Sequence, residues 1–350
     1  MQKIIAFFNH KGGVGKTTAT YNVAWALSHT YGKRVLMIDA DPQCNLTEIT
    51  VSPSELYEEQ DDDTSLPTNK SQYDSNFFIN NNIYEYLKNY IQPILGQEIP
   101  KLNLYSKSEN LDLLAGSVRF AELESSISLS VANIPALGHI PSSLYTALKN
   151  ISRDYDYVFL DLSPALSATN QMLLLLSDYF ILPVGPSIFS DQALRNLGHI
   201  FRKWNRELSG FEVFTSSKKN LPQLLGTVFQ NYRPYSRKNE INTKSAMRFA
   251  NFREVLNKST IELAKDLNGF DMALTEQQFN TIFKTSTPFN IANIPDFNQL
   301  VVIAEEHRLP VIALTSTILN SHNLGTPQYR EKISDFQEQF NAIAEGIVQL

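Results

Sequence analysis

Asn9-His10-Lys11-Gly12-Gly13-Val14-Gly15-Lys16-Thr17-Thr18 is the stretch of this sequence that decides the fold. The apolar run Ile4 to Phe8 precedes it, and a segment rich in helix formers, Ala19 to Leu27, follows it. A strand, a glycine loop and a helix in this order form a loop that binds phosphate groups. The glycines allow turns with φ > 0 and bring backbone N–H groups close to the phosphates.

The loop departs from the general phosphate-binding pattern in an informative way. That pattern, G-x-x-x-x-G-K-[ST], would place glycine at position 10, where this chain has His10. A second lysine, Lys11, instead opens a Lys-Gly-Gly-Val-Gly-Lys-Thr-Thr core. This core resembles the deviant Walker A loop of the ParA/MinD superfamily of P-loop ATPases, and the chain is most similar to ParA-type partition ATPases. In that family the extra lysine reaches across an ATP-sandwich dimer to the partner's nucleotide, and the resemblance implies the same role for Lys11.

The loop also predicts the ligands. Lys16 is expected to reach the β- and γ-phosphates of ATP, and the Thr17 hydroxyl is expected to bind Mg²⁺. A residue near Asn231 contacts adenine in relatives, so Asn231 is the candidate for the base. The expected nucleotide-binding residues are Gly12, Gly13, Val14, Gly15, Lys16, Thr17, Thr18 and Asn231.

A second motif follows the apolar run Val35 to Ile38, which has the composition of a buried parallel strand. Asp39 and Asp41 come at its carboxyl end, where open α/β sheets bind ligands. The stretch resembles the switch I segment of ParA proteins, Asp-x-Asp-Pro-Gln-Gly-Asn. By that resemblance Asp41 positions or activates the attacking water, and Asp39 supports the Mg²⁺ shell. Cys44 stands where the family usually has glycine.

A third apolar run, Tyr157 to Leu160, ends in Asp161. An aspartate at the tip of a buried strand is the Walker B feature that holds Mg²⁺, usually through water. The family commonly has two prolines after this residue, and here Ser163 replaces the first. Together these motifs predict an α/β P-loop NTPase with a mostly parallel, doubly wound sheet flanked by helices.

We expect one ATPase domain, residues 1–350, with two insertions. Residues 51–80 are acidic and poor in apolar residues, which favours a flexible insertion. Residues 232–287 form an extra, basic and mainly helical insertion in this interpretation.

Charge distribution predicts a DNA surface late in the chain, although the whole sequence has a net charge of −6. Residues 201–260 contain twelve Lys and Arg against four Glu, a local balance of +8. Such a surface favours sequence-independent, salt-sensitive DNA binding, whereas a solvated face without a partner is the alternative. The candidate DNA contacts are Arg233, Arg237, Lys238, Lys244, Arg248 and Arg253.

Other branches of the superfamily fit less well. A membrane-binding relative needs a basic amphipathic C-terminal helix, but residues 333–350 contain no Lys or Arg. An iron-protein reductase needs two cysteines per chain, and there is one, Cys44, which suits a reducing cytoplasm. No window approaches the roughly 18 apolar residues of a membrane span. Since the phosphate loop begins at residue 9, we expect no N-terminal helix-turn-helix domain.

Two functions remain open. The first is a partition or positioning ATPase that forms a homodimer with ATP, binds nonspecific DNA on the nucleoid, and relies on a separate adaptor or site-specific DNA-binding protein. The second is a ParA-like regulatory or defence switch whose ATP dimer recruits a protein effector. Retention on DNA distinguishes them.

Overall fold

A computed structural model describes most of the chain. The described residues are 2–56, 75–93, 99, 102–132, 134–208, 210–211, 220–232 and 240–350. At residues 53–54, 75, 188, 208, 231–232 and 240–250 it describes the backbone only.

Eight strands form a single sheet in the order β3-β4-β2-β5-β1-β6-β7-β8. Every neighbouring pair is parallel except β3 and β4, which are antiparallel. The strands are β1 (Lys3–Phe7), β2 (Val35–Ala40), β3 (Tyr105–Ser108), β4 (Leu111–Leu114), β5 (Tyr157–Leu162), β6 (Tyr179–Val184), β7 (Gln223–Tyr232) and β8 (Asn290–Pro295).

Fourteen α-helices are described between and after these strands. They are α1 (Lys16–Trp25), α2 (Asn45–Thr50), α3 (Pro53–Leu56), α4 (Ser75–Asn80), α5 (Ile83–Ile91), α6 (Glu124–Val131), α7 (Ile140–Ile151), α8 (Ala168–Leu176), α9 (Ile188–Leu208), α10 (Glu240–Asn268), α11 (Glu276–Ile282), α12 (Gln299–Glu306), α13 (Ser316–Ser321) and α14 (Pro327–Val348). A π-helical turn, Ala26–Thr30, continues α1, and short 3₁₀ turns cover Val118–Leu123, Pro135–Leu137 and Val311–Ala313.

The central strands are buried on both faces. Every residue of β2 and β5 is buried, as are the last four of β1. Because successive side chains of a strand point to opposite faces, helices must cover both sides of the sheet. This arrangement confirms the predicted α/β P-loop fold with its mostly parallel sheet and flanking helices.

Helices from the two ends of the chain meet on the central strands. Helix α1 packs on β5 and β1, and α14 packs on α1 and β8. The apolar stripe of α14 lies in the hydrophobic core rather than on the surface. Its buried members are Ile333, Phe336, Phe340, Ile343 and Ile347.

The two predicted insertions are only partly described. Residues 57–74 of the acidic segment lie outside the described residues, and α3 and α4 adjoin them. In the later segment, α10 packs against α9 and β7, and α11 follows it. No helix within the described ranges has the long apolar window needed to cross a bilayer.

The strand order places the switch point of the sheet at β1. From β1 the chain passes to β2 and then forms β3 and β4 at that edge of the sheet. It returns to β5 beside β1, and β6, β7 and β8 then extend the sheet on the other side of β1. Ligands of open α/β sheets bind in the crevice beyond the carboxyl ends of the strands at such a point. The loop after β1 lies there.

Candidate active site

The phosphate loop connects β1 to the N-terminus of α1. Gly15 caps α1 in the left-handed region, at φ 78°, and no side chain caps the helix. The first N–H groups of α1 therefore lack side-chain acceptors, which suits binding of an anion. A cavity of about 510 Å³ opens in front of the loop. Its lining includes all seven loop residues predicted to bind nucleotide, Gly12, Gly13, Val14, Gly15, Lys16, Thr17 and Thr18.

Lys16 is almost completely buried, with 7% of its surface exposed, although it lines this cavity. Burial lowers the pKa of its ammonium group, while the nearby charges of Asp161 and Asp41 raise it. A buried ammonium beside carboxylates and a helix N-terminus is suited to a polyanionic ligand.

Asp161, near the carboxyl end of β5, is 1% exposed, and its strand packs against α1. Burial raises its pKa to about 7, the charge of Asp39 adds to the rise, and a hydrogen bond from the Thr17 side chain opposes it. Its Oδ2 atom is buried and has no hydrogen-bond partner among the described residues. An unsatisfied carboxylate oxygen beside a threonine hydroxyl supplies the hard oxygen donors that Mg²⁺ prefers.

Protein donors alone do not complete a metal site here. Within the described part of the chain, no group of three or more His, Cys, Asp or Glu is placed to hold a metal. Thr17, Asp39 and Asp161 therefore fit a Mg²⁺ ion whose remaining ligands are phosphate oxygens and water. The predicted metal residues do come together, because Asp39 and Asp161 are register partners in adjacent strands.

Asp39 is fully buried at the tip of β2 and is held by Thr47 of α2. The Thr47 backbone N and hydroxyl both donate to Asp39 Oδ2, at 2.8 and 2.7 Å. Burial raises the Asp39 pKa to about 6, and these hydrogen bonds oppose the rise. Gly116 completes the enclosure, because a Cβ atom there would lie 2.8 Å from Asp39 Oδ2.

Asp41 lines the cavity and is 6% exposed. Its Oδ1 atom accepts a hydrogen bond from the Gln43 backbone N at 3.0 Å, which orients the carboxylate. Cys44 is the N-cap residue of α2, and its backbone adopts the left-handed conformation with φ 56°. This conformation explains why the family usually has glycine here: Cys44 adopts the glycine-type turn at a cost of about 1–2 kcal/mol.

Lys11 takes a different direction from the rest of the loop. Its ammonium group donates to Ser187 Oγ at 2.7 Å, in the turn between β6 and α9, and approaches Ser190 Oγ at 3.4 Å, in the first turn of α9. Its backbone N donates to Asn9 Oδ1 at 3.0 Å, and Asn9 in turn donates to Pro183 O. Lys11 thus contacts the neighbouring turn of its own subunit, and the two lysines of the loop are separated.

The far wall of the cavity comes from the loop after β8, from α12 and from the turn after α12, which the sequence did not assign to the site. Phe297, Val301, Glu305 and Arg308 line it. Arg308 donates to Glu48 O, and its own carbonyl accepts from Tyr21. The signal in the sequence that could have located this wall is the Ile294-Pro295 pair at the end of β8, since Phe297 follows two residues after Pro295.

Gln230 is a second residue that sequence reasoning passed over. Its side chain is completely buried, and its Nε2 atom donates to the Gly15 carbonyl at 2.9 Å. Its neighbour Asn231, the predicted adenine contact, lies in β7 and is described by its backbone only.

Most of the predicted DNA contacts are not described in detail. Arg233, Arg237 and Lys238 lie outside the described residues, Lys244 and Arg248 are described by their backbone only, and Arg253 is exposed on α10.

Part of the basic surface has internal partners. Arg202 lies 3.2 Å from Asp266, and Lys203 lies 3.6 Å from Glu207. Arg195 of α9 pairs with Glu262 of α10 in the same way. These ion pairs join α9 to α10 or lie along α9, and they reduce the charge that α9 presents to a ligand.

The fold and this site define a P-loop nucleotide-binding protein with a deviant, two-lysine loop. A family model described as an AAA domain matches residues 2–210. The chain is 32% identical over 230 residues to the virulence plasmid ParA family protein pGP5-D of Chlamydia psittaci, covering 65% of this chain and 68% of that protein. It is 29% identical over 211 residues to the sporulation initiation inhibitor protein Soj of Bacillus subtilis, covering 60% and 68%.

Solved structures show the same fold. An ATP complex of a McdA variant from Cyanothece aligns over 97% of this chain and 96% of its own, with a TM-score of 0.55 and 18% identity. The chain therefore belongs to the ParA/MinD superfamily of P-loop ATPases.

Proposed function

We propose that this chain is a ParA-type switch ATPase that dimerises with Mg²⁺-ATP, binds nonspecific DNA in that state, and acts in plasmid or chromosome partition or positioning. The observation that carries the proposal is the separation of the two loop lysines. Lys16 lies inside the cavity, whereas Lys11 points to Ser187 outside it. The ParA name of one relative and the ATP complex of McdA agree with this proposal.

The chemistry assigns one task to each side chain. Lys16 and the N-terminus of α1 bind the phosphates, and Thr17 with Asp161 holds Mg²⁺, which neutralises phosphate charge when bound. Asp41 orients the water that attacks the γ-phosphate, since its carboxylate is fixed at the cavity edge by Gln43 N.

In the dimer, each subunit supplies the Lys11 ammonium group to the nucleotide of the other. Lys11 of each subunit contacts the phosphates of the other, so hydrolysis and loss of the γ-phosphate open the dimer. Phe189, at the start of α9 after β6, is 66% exposed, and Leu166, in the turn after β5, is 50% exposed. Exposed apolar side chains beside the site are consistent with an interface there.

Retention on random-sequence duplex DNA tests the proposal. The protein is compared without nucleotide, with ADP and with Mg²⁺-ATP, while salt is increased. We expect retention with ATP alone, lost steeply with salt because phosphate contacts release counterions. Lys16→Ala should prevent retention by preventing ATP binding, and Lys11→Ala should bind ATP but remain monomeric and unretained.

The result also separates the two candidate functions. ATP-dependent dimers that ignore DNA at all salt concentrations would refute the DNA role and favour a switch that recruits a protein effector. The ion pairs Arg202–Asp266 and Arg195–Glu262 favour this alternative, because they neutralise two arginines of α9 that could otherwise contact DNA phosphates.

A further inference from the structure

The phosphate loop is anchored from outside by a buried amide on a strand two positions away. Gln230 is on β7, which is separated from β1 by β6. Its Nε2 donates to Gly15 O at 2.9 Å, and the same carbonyl accepts the helical hydrogen bond of Ala19 N at 2.9 Å. The side chain is fully buried and is not part of the cavity lining.

The contact is close as well as polar. A Cβ atom on Gly15 would lie 2.3 Å from Gln230 Oε1. Gly15 is thus required twice, by its φ of 78° and by the amide packed against its Cα atom. Gln230 Oε1 has no hydrogen-bond partner among the described residues, so the amide oxygen is buried at a cost. A costly buried group that holds a ligand-binding loop points to a role in the site.

The pairing of β7 with β8 becomes irregular directly after Gln230. The register of β7 on β8 shifts between Gln230 and Tyr232, where Ile294 and Pro295 are their partners. Such an irregularity at a strand end redirects a side chain and recurs beside active sites. The chain leaves this strand pair at Pro295 and reaches Phe297, which lies in the far wall of the cavity, two residues later.

From these contacts we propose that Gln230 is the positioning residue that fixes the phosphate loop relative to the β7–β8 wall, and that it thereby sets nucleotide affinity. The inference rests on the proposed function, in which the cavity binds ATP. Gln230 acts through Gly15 and touches no reacting atom. Its contribution is equal in the ground state and the transition state, so its loss should raise KM and leave kcat unchanged.

The test measures ADP binding by calorimetry, and KM and kcat for Mg²⁺-ATP, in three variants of the full chain. Gln230→Met keeps the volume and removes the amide, and Gln230→Asn is too short to reach Gly15. We expect both to weaken ADP binding and raise KM by about three- to tenfold, the range of one net hydrogen bond. Thr227→Val is the matched control, because it removes another buried side-chain hydrogen bond of β7, from Thr227 Oγ1 to Phe289 O, three residues before Gln230.

The outcomes are distinct. If Thr227→Val raises KM as much as Gln230→Met, the effect is general loosening of β7 and the positioning role is wrong. A fall in kcat at constant KM would also overturn it, since that result indicates a reduced folded fraction. If the wild-type protein does not bind ADP, the proposed function fails instead.

A double-mutant cycle covers the case in which Gln230→Met folds poorly. Gly15→Ala creates the 2.3 Å overlap with Gln230 Oε1, and Gln230→Ala removes the overlapping atoms. We expect Gly15→Ala to weaken ADP binding at least fivefold more in the wild-type background than in the Gln230→Ala background. Additive effects would show that the two residues are not coupled and would overturn the inference.

Discussion

Thr47 offers the sharpest test of how the buried carboxylates are held. Its hydroxyl donates to Asp39 Oδ2 at 2.7 Å and accepts from the Gly116 backbone N at 2.7 Å. Thr47→Val keeps the side-chain shape and removes both hydrogen bonds. Asp39 then keeps its hydrogen bond from Thr47 N, and Gly116 N has lost its acceptor.

The magnitude follows from these two losses. A hydrogen bond to a charged group contributes about 1.5–3 kcal/mol, and an unsatisfied buried donor costs about 1–3 kcal/mol. Because Gly116 is only half-buried, the lower ends apply, and Thr47→Val should reduce the free energy of unfolding by about 2–3 kcal/mol. With the steep denaturant dependence of a large domain, this corresponds to a fall of about 1 M in the urea midpoint.

Urea unfolding followed by circular dichroism measures the change, with Thr47→Ser as the control. Thr47→Ser keeps the hydroxyl and loses one buried methyl group, which costs about 0.8 kcal/mol. The reasoning requires Thr47→Val to be clearly the less stable of the two. Equal midpoints for the two variants would refute it, because the hydroxyl would then contribute nothing.

Three further predictions concern the rest of the site. Asp41→Ala should bind ATP and accumulate as an ATP dimer with hydrolysis reduced at least about 100-fold, seen by light scattering and phosphate release; hydrolysis at the wild-type rate would contradict its assignment. Cys44→Gly should be more stable than Cys44→Ala by about 0.5–1 kcal/mol in urea unfolding, because relief of about 1–2 kcal/mol of strain at φ 56° is partly offset by the greater conformational entropy of glycine in the unfolded chain. Mn²⁺, a paramagnetic substitute for Mg²⁺, should bind in electron paramagnetic resonance titrations only when ADP or ATP is present; tight binding without nucleotide would show that protein groups alone complete the metal site.

The phosphate side of the site could be predicted because its determinants are contiguous in the sequence. The loop from Gly12 to Thr18 follows β1 directly, and Asp39 and Asp161 each end a continuous apolar run. Such runs predict buried parallel strands, and the carboxyl ends of parallel strands meet at one edge. The loop, the two aspartates and the mostly parallel sheet could therefore be predicted from local patterns.

The effect of Cys44 was open in the sequence and is clear in the structure. A cysteine in place of glycine leaves two outcomes, a changed turn or a strained one, and composition does not decide between them. The turn is kept, because Asp41 O accepts from Cys44 N at 2.9 Å while α2 begins at the next residue. These hydrogen bonds hold the backbone of Cys44 in the left-handed conformation, although that conformation is strained for a residue with a Cβ atom.

The other half of the site depends on contacts between distant segments, and this is why local reasoning missed it. Gln230 and Gly15 are 215 residues apart, and nothing in either segment indicates that an amide and a carbonyl will meet. Phe297 and Arg308 likewise reach the cavity only because β8 pairs with β7 and carries α12 with it. The phosphate-binding residues are specified by their own sequence, whereas the wall opposite them is specified by the pairing of β7 with β6 and β8. A substitution at Gln230 that changes nucleotide affinity without changing kcat would show that this pairing, and not the loop alone, sets how tightly the nucleotide is held.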